Sequence, residues 1–223
     1  MDWLELAIAP LPSPPCLRAN PSIHAFGSSA WHFHMPSFSD DGDAGYDTAL
    51  PALTDVPIPY AGCCLALSTP LLHHLHTLLS PTPDFTLSIG SGYGLLEALL
   101  LAAPYSLHVI GVEVQPSPNR YLPPSYHKVV SGTRFLHPSA AEAATWLFVY
   151  PRRVAIIDEY LEAHGQGHMR TVIWVGPRAD WDDYKSCFNE EWQVDVRSAD
   201  ETGGRPWELI AIANKLPRVH EKA

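Results

Sequence analysis

The stretch TLSIGSGYG, residues 86–94, decides the fold because it joins an apolar strand to a loop of three glycines. The run Phe85–Ile89 is typical of a strand that is buried on both faces of a parallel sheet. Gly90, Gly92 and Gly94 follow it directly. Glycine adopts a positive φ without strain and lets the backbone come close to a ligand. The stretch therefore predicts a ligand-binding loop at the carboxyl end of a strand.

On both sides of this loop, strand patterns alternate with helix patterns. The further predicted strands are Leu107–Val114, His127–Val130, Trp146–Tyr150, Thr171–Val175, Trp192–Val196 and Glu208–Ala213. The predicted helices are Gly92–Ala103, Val154–His164, Asp180–Phe188 and the brief Ala140–Ala144, with a helical turn at Ser117–Leu122. This alternation implies an α/β fold, a Rossmann-like open sheet that is mostly parallel and has helices on both faces. The last two strands, joined by a short turn, predict an antiparallel hairpin at the edge.

The leucine-rich segment Ala61–Leu79, before the glycine loop, has apolar residues at helical spacing. Pro70 predicts a division into two helices, because proline disrupts a helix interior. Ser68 or Thr69 is a suitable cap for the second helix.

Residues 1–58 are rich in proline, serine, aspartate and glycine, with scattered aromatic residues. We expect an irregular arm or lid that packs on the main domain, because disordered tails contain few aromatic residues. His32, flanked by aromatic residues, is a candidate base in such a lid, although a surface or packing role is the simpler interpretation. No metal site is predicted. A Rossmann-like, ligand-binding domain over residues 59–217 and a tail over 218–223 complete the organisation.

The spacing of the glycines separates two classes of nucleotide site. The dinucleotide fingerprint is G-x-G-x-x-G, whereas this chain has G-x-G-x-G, with Leu95 where the third glycine would stand. NAD and FAD are therefore disfavoured, and the lysine motif of P-loops is missing. Glu113 lies near the end of the second predicted strand, where an acidic side chain accepts hydrogen bonds from a ribose diol. The alternative is a tight strand-to-helix turn that binds nothing.

The glycine loop together with Glu113 resembles motif I and the following acidic position of class I, seven-strand S-adenosylmethionine-dependent methyltransferases. The closing hairpin is similar to the reversed final strand of that superfamily, and the resemblance covers about Leu65 to Leu216. It implies S-adenosylmethionine as the cofactor and S-adenosylhomocysteine as its product. The residues that the resemblance places around the cofactor are Gly90, Ser91, Gly92, Gly94, Glu113, Val114, Gly132 and Thr133.

Two positions depart from the pattern of this superfamily. Many members carry an acidic residue two positions before the first glycine, where this chain has Ser88. Amino-methylating members carry Asn/Asp/Ser-Pro-Pro-aromatic after the fourth strand, and a group of small methyltransferase-like proteins carries Ser-Trp-Pro-Pro-Tyr. This chain has Tyr150-Pro151-Arg152-Arg153 there, so the layout resembles that group while the motif differs.

The altered loop still offers functional groups. Arg152 is permanently charged and cannot act as a base, but it is suited to clamp a substrate carboxylate or phosphate. Tyr150 is suited to hydrogen-bond to a substrate or to stack on it. A solvated helix start is an equally open interpretation of the two arginines.

The composition restricts the partners. The 223 residues include 14 Lys and Arg against 24 Asp and Glu, a net charge of −10. Such a chain is repelled by phosphate backbones, so broad nucleic-acid binding is disfavoured and a small-molecule substrate is favoured. No apolar run is long enough for a membrane span, and the N-terminus lacks the basic region of a signal peptide.

The spacing of the cysteines indicates the redox state of the cellular compartment. The four cysteines contain no CxxC pair, which predicts free, buried thiols in a reducing compartment rather than disulfides or a zinc site. We therefore expect a cytoplasmic protein.

The resemblance implies a methyltransferase, and the composition favours a small-molecule acceptor, with Tyr150, Arg152 and His32 as candidate catalytic residues. A non-catalytic cofactor-binding or regulatory protein on the same fold is the main alternative, and another reaction on this fold is a third, since fold does not determine function. A protein partner or a homodimer is left open.

Overall fold

The computed structural model describes residues 49–217, in which seven strands form one sheet. The strands are β1 (Thr86–Ile89), β2 (Val109–Val114), β3 (His127–Val130), β4 (Thr145–Val149), β5 (Thr171–Pro177), β6 (Trp192–Ser198) and β7 (Glu208–Lys215). The helices are α1 (Thr69–Leu78), α2 (Leu95–Leu101), α3 (Ala155–His164), α4 (Trp181–Tyr184) and α5 (Ala199–Thr202). Short 3-10 turns lie at Pro124–Tyr126, Pro138–Ala141, Arg178–Asp180 and Lys185–Cys187.

The strand order across the sheet is β3-β2-β1-β4-β5-β7-β6. Strands β1 to β5 pair in parallel, and β7 runs antiparallel to both of its neighbours, β5 and β6. The predicted fold class, mostly parallel with an antiparallel edge pair, is confirmed. Because β1 lies between β2 and β4, the strand order reverses there, and a crevice opens beyond the carboxyl ends of these strands.

The sheet has helices on both faces, and alternate side chains of its central strands therefore point into two separate cores. Leu147 and Ile173 pack with the buried leucines of α1 and α2. Phe148 and Trp174, one position further along each strand, pack on the other face with residues of α3 and α4. Full burial of a large apolar side chain contributes about 1.5–3 kcal/mol, so these two layers hold the strand ends rigidly in register.

The segment 61–68 is not helical, so the prediction for the first of the two helices is wrong. Leu67 instead exchanges two backbone hydrogen bonds with Ile58, each 2.9 Å long, in an antiparallel bridge. The second helix is confirmed as α1. The Ser68 side chain caps it by accepting the Leu71 N–H at 3.1 Å, as predicted.

Of two further helical predictions, one is wrong and the other is only partly confirmed. The predicted turn at Ser117–Leu122 does not form, because the Asn119 side chain bonds both the N–H and the carbonyl of Leu122 and closes a loop instead. The predicted helix Asp180–Phe188 is reduced to the four residues of α4 between two 3-10 turns.

The predicted helix Ala140–Ala144 is a 3-10 turn displaced to Pro138–Ala141. The short connection between β6 and β7 contains α5, which a capping box of Ser198 and Glu201 stabilises. Within residues 49–217, none of the helices has the length and apolar character required to cross a membrane.

Candidate functional site

A cavity of about 590 Å³ lies at the crevice where the strand order reverses. The predicted site residues that line it are Gly90, Ser91, Gly92, Glu113, Val114, Gly132, Thr133, Tyr150 and Arg152. The carboxyl end of β2 and the loops after β1, β3 and β4 thus bring these residues together, as expected for parallel strands whose carboxyl ends share one edge. The predicted lid residue His32 lies outside the described residues.

The glycine loop leaves room beside its first member. Gly90 has a φ of +85°, and a Cβ added there would meet no atom within 4 Å, so this face of the backbone is open to the cavity. Gly92 has a φ of +58°, and its Cβ would lie 3.1 Å from the Gly62 carbonyl oxygen. The loop therefore needs glycine for its conformation and, at Gly90, keeps free space for a ligand.

Gly94 differs from the other two glycines because it is not among the residues that line the cavity. It precedes α2 in the left-handed region, with a φ of +76°. A Cβ there would lie 2.7 Å from Asn119 Oδ1 and 2.8 Å from Leu122. Close packing under the loop accounts for this glycine, and its predicted contact with a cofactor has no support from its position.

Glu113 is held in one orientation at the cavity wall. Its Oε2 accepts the Gly92 N–H at 2.7 Å, and its Oε1 accepts the Val114 N–H at 2.8 Å. A carboxylate oxygen accepts more than one hydrogen bond, so each oxygen retains capacity for a donor from a ligand. The acidic position at the end of β2 is therefore coupled directly to the glycine loop.

A second carboxyl group, which is not among the predicted site residues, also lines this cavity. Glu97 on α2 is fully buried, and its Oε1 accepts a hydrogen bond from the Ser88 hydroxyl at 2.5 Å. Its Oε2 is buried and has no hydrogen-bond partner among the described residues. The available signal was a single charged residue inside the apolar run Leu95–Leu101.

The surroundings of Glu97 oppose its ionisation. Burial raises the pKa of this carboxyl group from 4.5 to about 7, the hydrogen bond from Ser88 acts in the opposite direction, and the nearby charge of Glu113 raises the pKa further. Near neutral pH, Glu97 is therefore close to the midpoint of its titration.

Tyr150 follows β4 in a backbone conformation that is uncommon for a residue with a side chain, with a φ of +49°. Its hydroxyl donates a hydrogen bond to Glu208 Oε1 at 2.8 Å. Burial and this bond to Glu208 raise the pKa of the phenol, so the group stays protonated at neutral pH. Glu208 is itself buried and also accepts the Arg205 N–H, which anchors the loop after β4 to the start of β7.

The two arginines of this loop have different surroundings. Arg153 forms a bidentate pair with Glu159, at 2.9 and 2.7 Å, and donates to the Thr133 carbonyl at 2.7 Å. Arg152 is exposed, and within the described part of the chain no hydrogen bond or ion pair engages its guanidinium. The solvated helix start therefore describes Arg153 only in part, while Arg152 is available to an anionic ligand.

A second cavity, of about 480 Å³, adjoins the first beyond the ends of β4 and β5. The two cavities share the wall formed by Tyr150, Pro151 and Arg152. Asp180 and Asp183 line the other side of the second cavity. Among the described residues, no histidine lines either cavity.

The segment before α1 forms another wall of the first cavity. Gly62 packs directly against the ring of Tyr93. The Arg120 guanidinium forms a cation–π contact with this ring, with Cζ 4.4 Å from the ring centroid. Cys63 and Cys64 also line the cavity, and Cys64 is exposed, so the prediction that the thiols are buried is wrong there. Burial raises the pKa of the Cys63 thiol to about 12, and the negative charge of Glu97 adds to this shift, so Cys63 is a poor nucleophile.

No protein-family model and no curated protein matches this chain. Among solved structures, it is similar to the putative methyltransferase in a complex with the Trm112 methyltransferase activator of Haloferax volcanii, with 11% identity, a TM-score of 0.47 and coverage of 67% of this chain and 89% of that chain. It is also similar to a dimethyladenosine transferase from Plasmodium falciparum, with 13% identity, a TM-score of 0.48 and coverage of 68% and 63%. A predicted O-methyltransferase from Agrobacterium tumefaciens shows 10% identity, a TM-score of 0.46 and coverage of 67% and 81%.

At these identities the likeness concerns the fold alone, so the class of fold rests on the sheet itself. Seven strands, a glycine loop after the central β1 and one reversed strand, β7, make this the seven-strand, Rossmann-like fold of class I S-adenosylmethionine-dependent methyltransferases. The resemblance seen in the glycine loop therefore extends to the architecture, whereas the reaction does not follow from the fold.

Proposed function

We propose that this protein is an S-adenosylmethionine-dependent methyltransferase that acts on a small-molecule acceptor. One observation carries the proposal: the glycine loop, the Glu113 carboxylate and a cavity of about 590 Å³ meet at the crevice beside β1. This volume falls within the range of small-molecule sites, and ligands of open α/β sheets bind at such crevices.

The described residues fit the proposed cofactor. Gly90 offers open space beside its backbone, so the ligand can contact the loop without a side-chain clash. Glu113 is oriented by two backbone donors and would accept hydrogen bonds from the ribose hydroxyls. Val114, Gly132 and Thr133 would border the adenine, since they line the same cavity beyond β2 and β3.

When bound, S-adenosylmethionine supplies an electrophilic methyl group, and the residues of the chain have to position the acceptor. Arg152 lies in the wall that the two cavities share and would hold an anionic group of the acceptor. Positioning of the reacting groups supplies much of the rate in such a displacement. Tyr150 would serve as a fixed, neutral contact, because its proton is already donated to Glu208.

A base is needed only if the acceptor atom must lose a proton before it reacts. In the second cavity, Asp180 and Asp183 are the carboxylates available for this step. We keep His32 as a proposed base from the N-terminal arm.

Isothermal titration with S-adenosylmethionine and S-adenosylhomocysteine tests the proposal on the full chain. We expect both to bind, and we expect Gly92→Arg and Glu113→Ala each to weaken binding, because they fill the loop and remove the ribose acceptor. Glu142→Ala, which changes an exposed acid outside the cavity, is the control. Lack of binding by the folded wild-type chain at about millimolar ligand, well above the range of a useful cofactor site, contradicts the proposal.

Transfer is tested separately, by the release of S-adenosylhomocysteine in the presence of a metabolite extract. Arg152→Ala should lower turnover more than cofactor affinity, because Arg152 is assigned to the acceptor. Arg170→Ala, directly before the start of β5 and outside both cavities, should leave both unchanged. Equal turnover in the Arg152 and Arg170 variants would show that Arg152 is a solvated surface residue without a role in acceptor binding.

A non-catalytic, cofactor-binding protein is the second candidate. The observation that favours it is the loop after β4, where the Tyr150 hydroxyl is committed to Glu208 and Arg152 replaces the second proline of the related motif. Cofactor binding without transfer to any fraction of the extract would favour this candidate. A protein partner, a homodimer and a cytoplasmic location also remain proposals, which rest on composition and charge.

A further inference from the structure

The cavity contains two carboxyl groups that differ in their hydrogen bonding. Both oxygens of Glu113 accept backbone N–H groups. Only one oxygen of Glu97 has a partner, the Ser88 hydroxyl, and its Oε2 has none among the described residues. An unpaired buried carboxylate oxygen is unfavourable, so a donor that reaches it would be bound strongly.

The groups that face Glu97 are all neutral or negative. Ser88 faces it from β1, Glu113 from the end of β2, and Cys63 from the segment before α1. Its own helix, α2, contributes leucine and alanine residues. The described residues around Glu97 therefore supply no cation, although the carboxyl group lies in the wall of a ligand-sized cavity.

We propose that the Glu97 carboxylate binds the ammonium group of the amino-acid portion of the cofactor. This inference rests on the proposed function, because it assigns one end of the same ligand. S-adenosylmethionine carries its ribose and its amino acid on opposite sides of the sulfur, and the cavity offers one carboxyl group for each. Glu113 would bind the hydroxyl groups and Glu97 the ammonium group, since both carboxyl groups line the same cavity. Because Oε2 is buried by protein atoms, this assignment requires the Glu97 side chain to turn toward the ligand on binding.

The test compares two ligands that differ only at this end of the molecule. S-adenosylhomocysteine has the amino acid, whereas 5′-methylthioadenosine has the same adenosine and thioether without it. In titrations of the full chain, Glu97→Gln should weaken S-adenosylhomocysteine binding about ten- to a hundredfold, as expected for loss of a charge-assisted hydrogen bond. Its affinity for 5′-methylthioadenosine should stay unchanged. Glu113→Gln, the matched control, should weaken both ligands.

The outcomes separate the two proposals. If neither ligand binds the wild-type chain, the proposed function fails. If both ligands bind and Glu97→Gln leaves the affinity for S-adenosylhomocysteine unchanged, or weakens both ligands equally, the assignment of Glu97 is overturned while the proposed function stands.

A measurement on the wild-type chain does not depend on whether the variant folds. Glu97 is protonated in part near neutral pH, and an ammonium group binds its ionised form, so binding must release a proton. Titrations at pH 6 in two buffers of different ionisation enthalpy should show release of up to about one proton per S-adenosylhomocysteine, and none for 5′-methylthioadenosine. Its affinity should fall as the pH decreases from 8 to 6. Equal proton release for the two ligands would overturn the assignment.

Discussion

At the scale of single residues, the role of the Glu97 carboxyl group depends on the residue at position 88. Ser88 stands where many related methyltransferases carry an acid, and its hydroxyl donates to a carboxyl group that α2 brings to the same place. The cavity therefore has an acidic group close to β1 although β1 itself has none. The consequence is a buried carboxyl group whose ionisation affects both stability and binding.

The raised pKa of Glu97 makes stability depend on pH. The folded chain keeps this proton up to a pKa of about 7, whereas the usual value is 4.5. The stability that comes from keeping Glu97 protonated is fully present below pH 4.5 and is lost as the pH rises through 7. Between pH 5 and pH 8, the free energy of unfolding of Glu97→Gln should therefore increase by on the order of 2 kcal/mol relative to that of the wild type. Urea unfolding at both pH values measures this gain, with Glu142→Gln as the control, and a gain that does not change with pH would contradict it.

Two glycines of the same loop allow the contributions of backbone strain and of close packing to stability to be measured separately. Gly90 and Gly94 both have a positive φ, but only at Gly94 would a Cβ collide with neighbouring atoms. Gly90→Ala should lower the free energy of unfolding by about 1 kcal/mol through backbone strain alone. Gly94→Ala should lower it by about 2–4 kcal/mol, because overpacking adds to the strain. Chemical denaturation of both variants measures the difference, and equal losses would show that Asn119 and Leu122 move aside freely.

At the scale of elements, α1 depends on a residue that also connects distant parts of the chain. The Ser68 hydroxyl accepts the Leu71 N–H at the start of α1 and donates to the Gly203 carbonyl at 2.7 Å, beyond the end of α5. Ser68 is completely buried, its bond with Leu71 is buried as well, and its bond with Gly203 is partly buried. One side chain thereby caps a helix and fixes it against the connection between β6 and β7.

Removal of this cap should be costly. Ser68→Ala leaves the Leu71 N–H and the Gly203 carbonyl without their partner, so we expect a loss of about 1–3 kcal/mol in the free energy of unfolding. Thr77→Ala, in the same helix, removes an exposed hydroxyl that bonds the His74 carbonyl and should change stability by less than about 0.5 kcal/mol. Thermal or urea unfolding compares the two variants. Similar losses would mean that the cap contributes little to the fold.

At the scale of the whole molecule, the sheet brings remote segments to one cavity. The glycine loop, the end of β2 and the loop after β4 meet beside β1, and the bond from Tyr150 to Glu208 ties this edge to the reversed β7. A ligand that contacts several of these segments at once must stabilise the folded chain as a unit.

This coupling predicts a shift in global stability. S-adenosylhomocysteine at about a hundred times its Kd should raise the free energy of unfolding by about 2.7 kcal/mol. Thermal unfolding with and without the ligand measures the effect, and Glu113→Ala should reduce it at the same ligand concentration. An unchanged midpoint in the presence of saturating ligand would be incompatible with a site built from all of these segments.

The sequence by itself determined those features whose signals are local. Short apolar runs predicted the central strands, because a strand buried between two helix layers must be apolar along its length. The glycine spacing and Glu113 predicted the composition of the cavity, since residues at the carboxyl ends of adjacent parallel strands share one edge. These are rules of geometry that need no knowledge of particular contacts.

The tertiary structure decided what depends on contacts between distant residues. Whether 61–68 becomes a helix depended on Ile58, which supplies a bridge to Leu67. The surroundings of Glu97 and the partner of Tyr150 depended on packing of α2 against β1 and of β7 beside β5. Burial and proximity set the charge and hydrogen bonding of such groups, and neither is encoded in spacing along the chain.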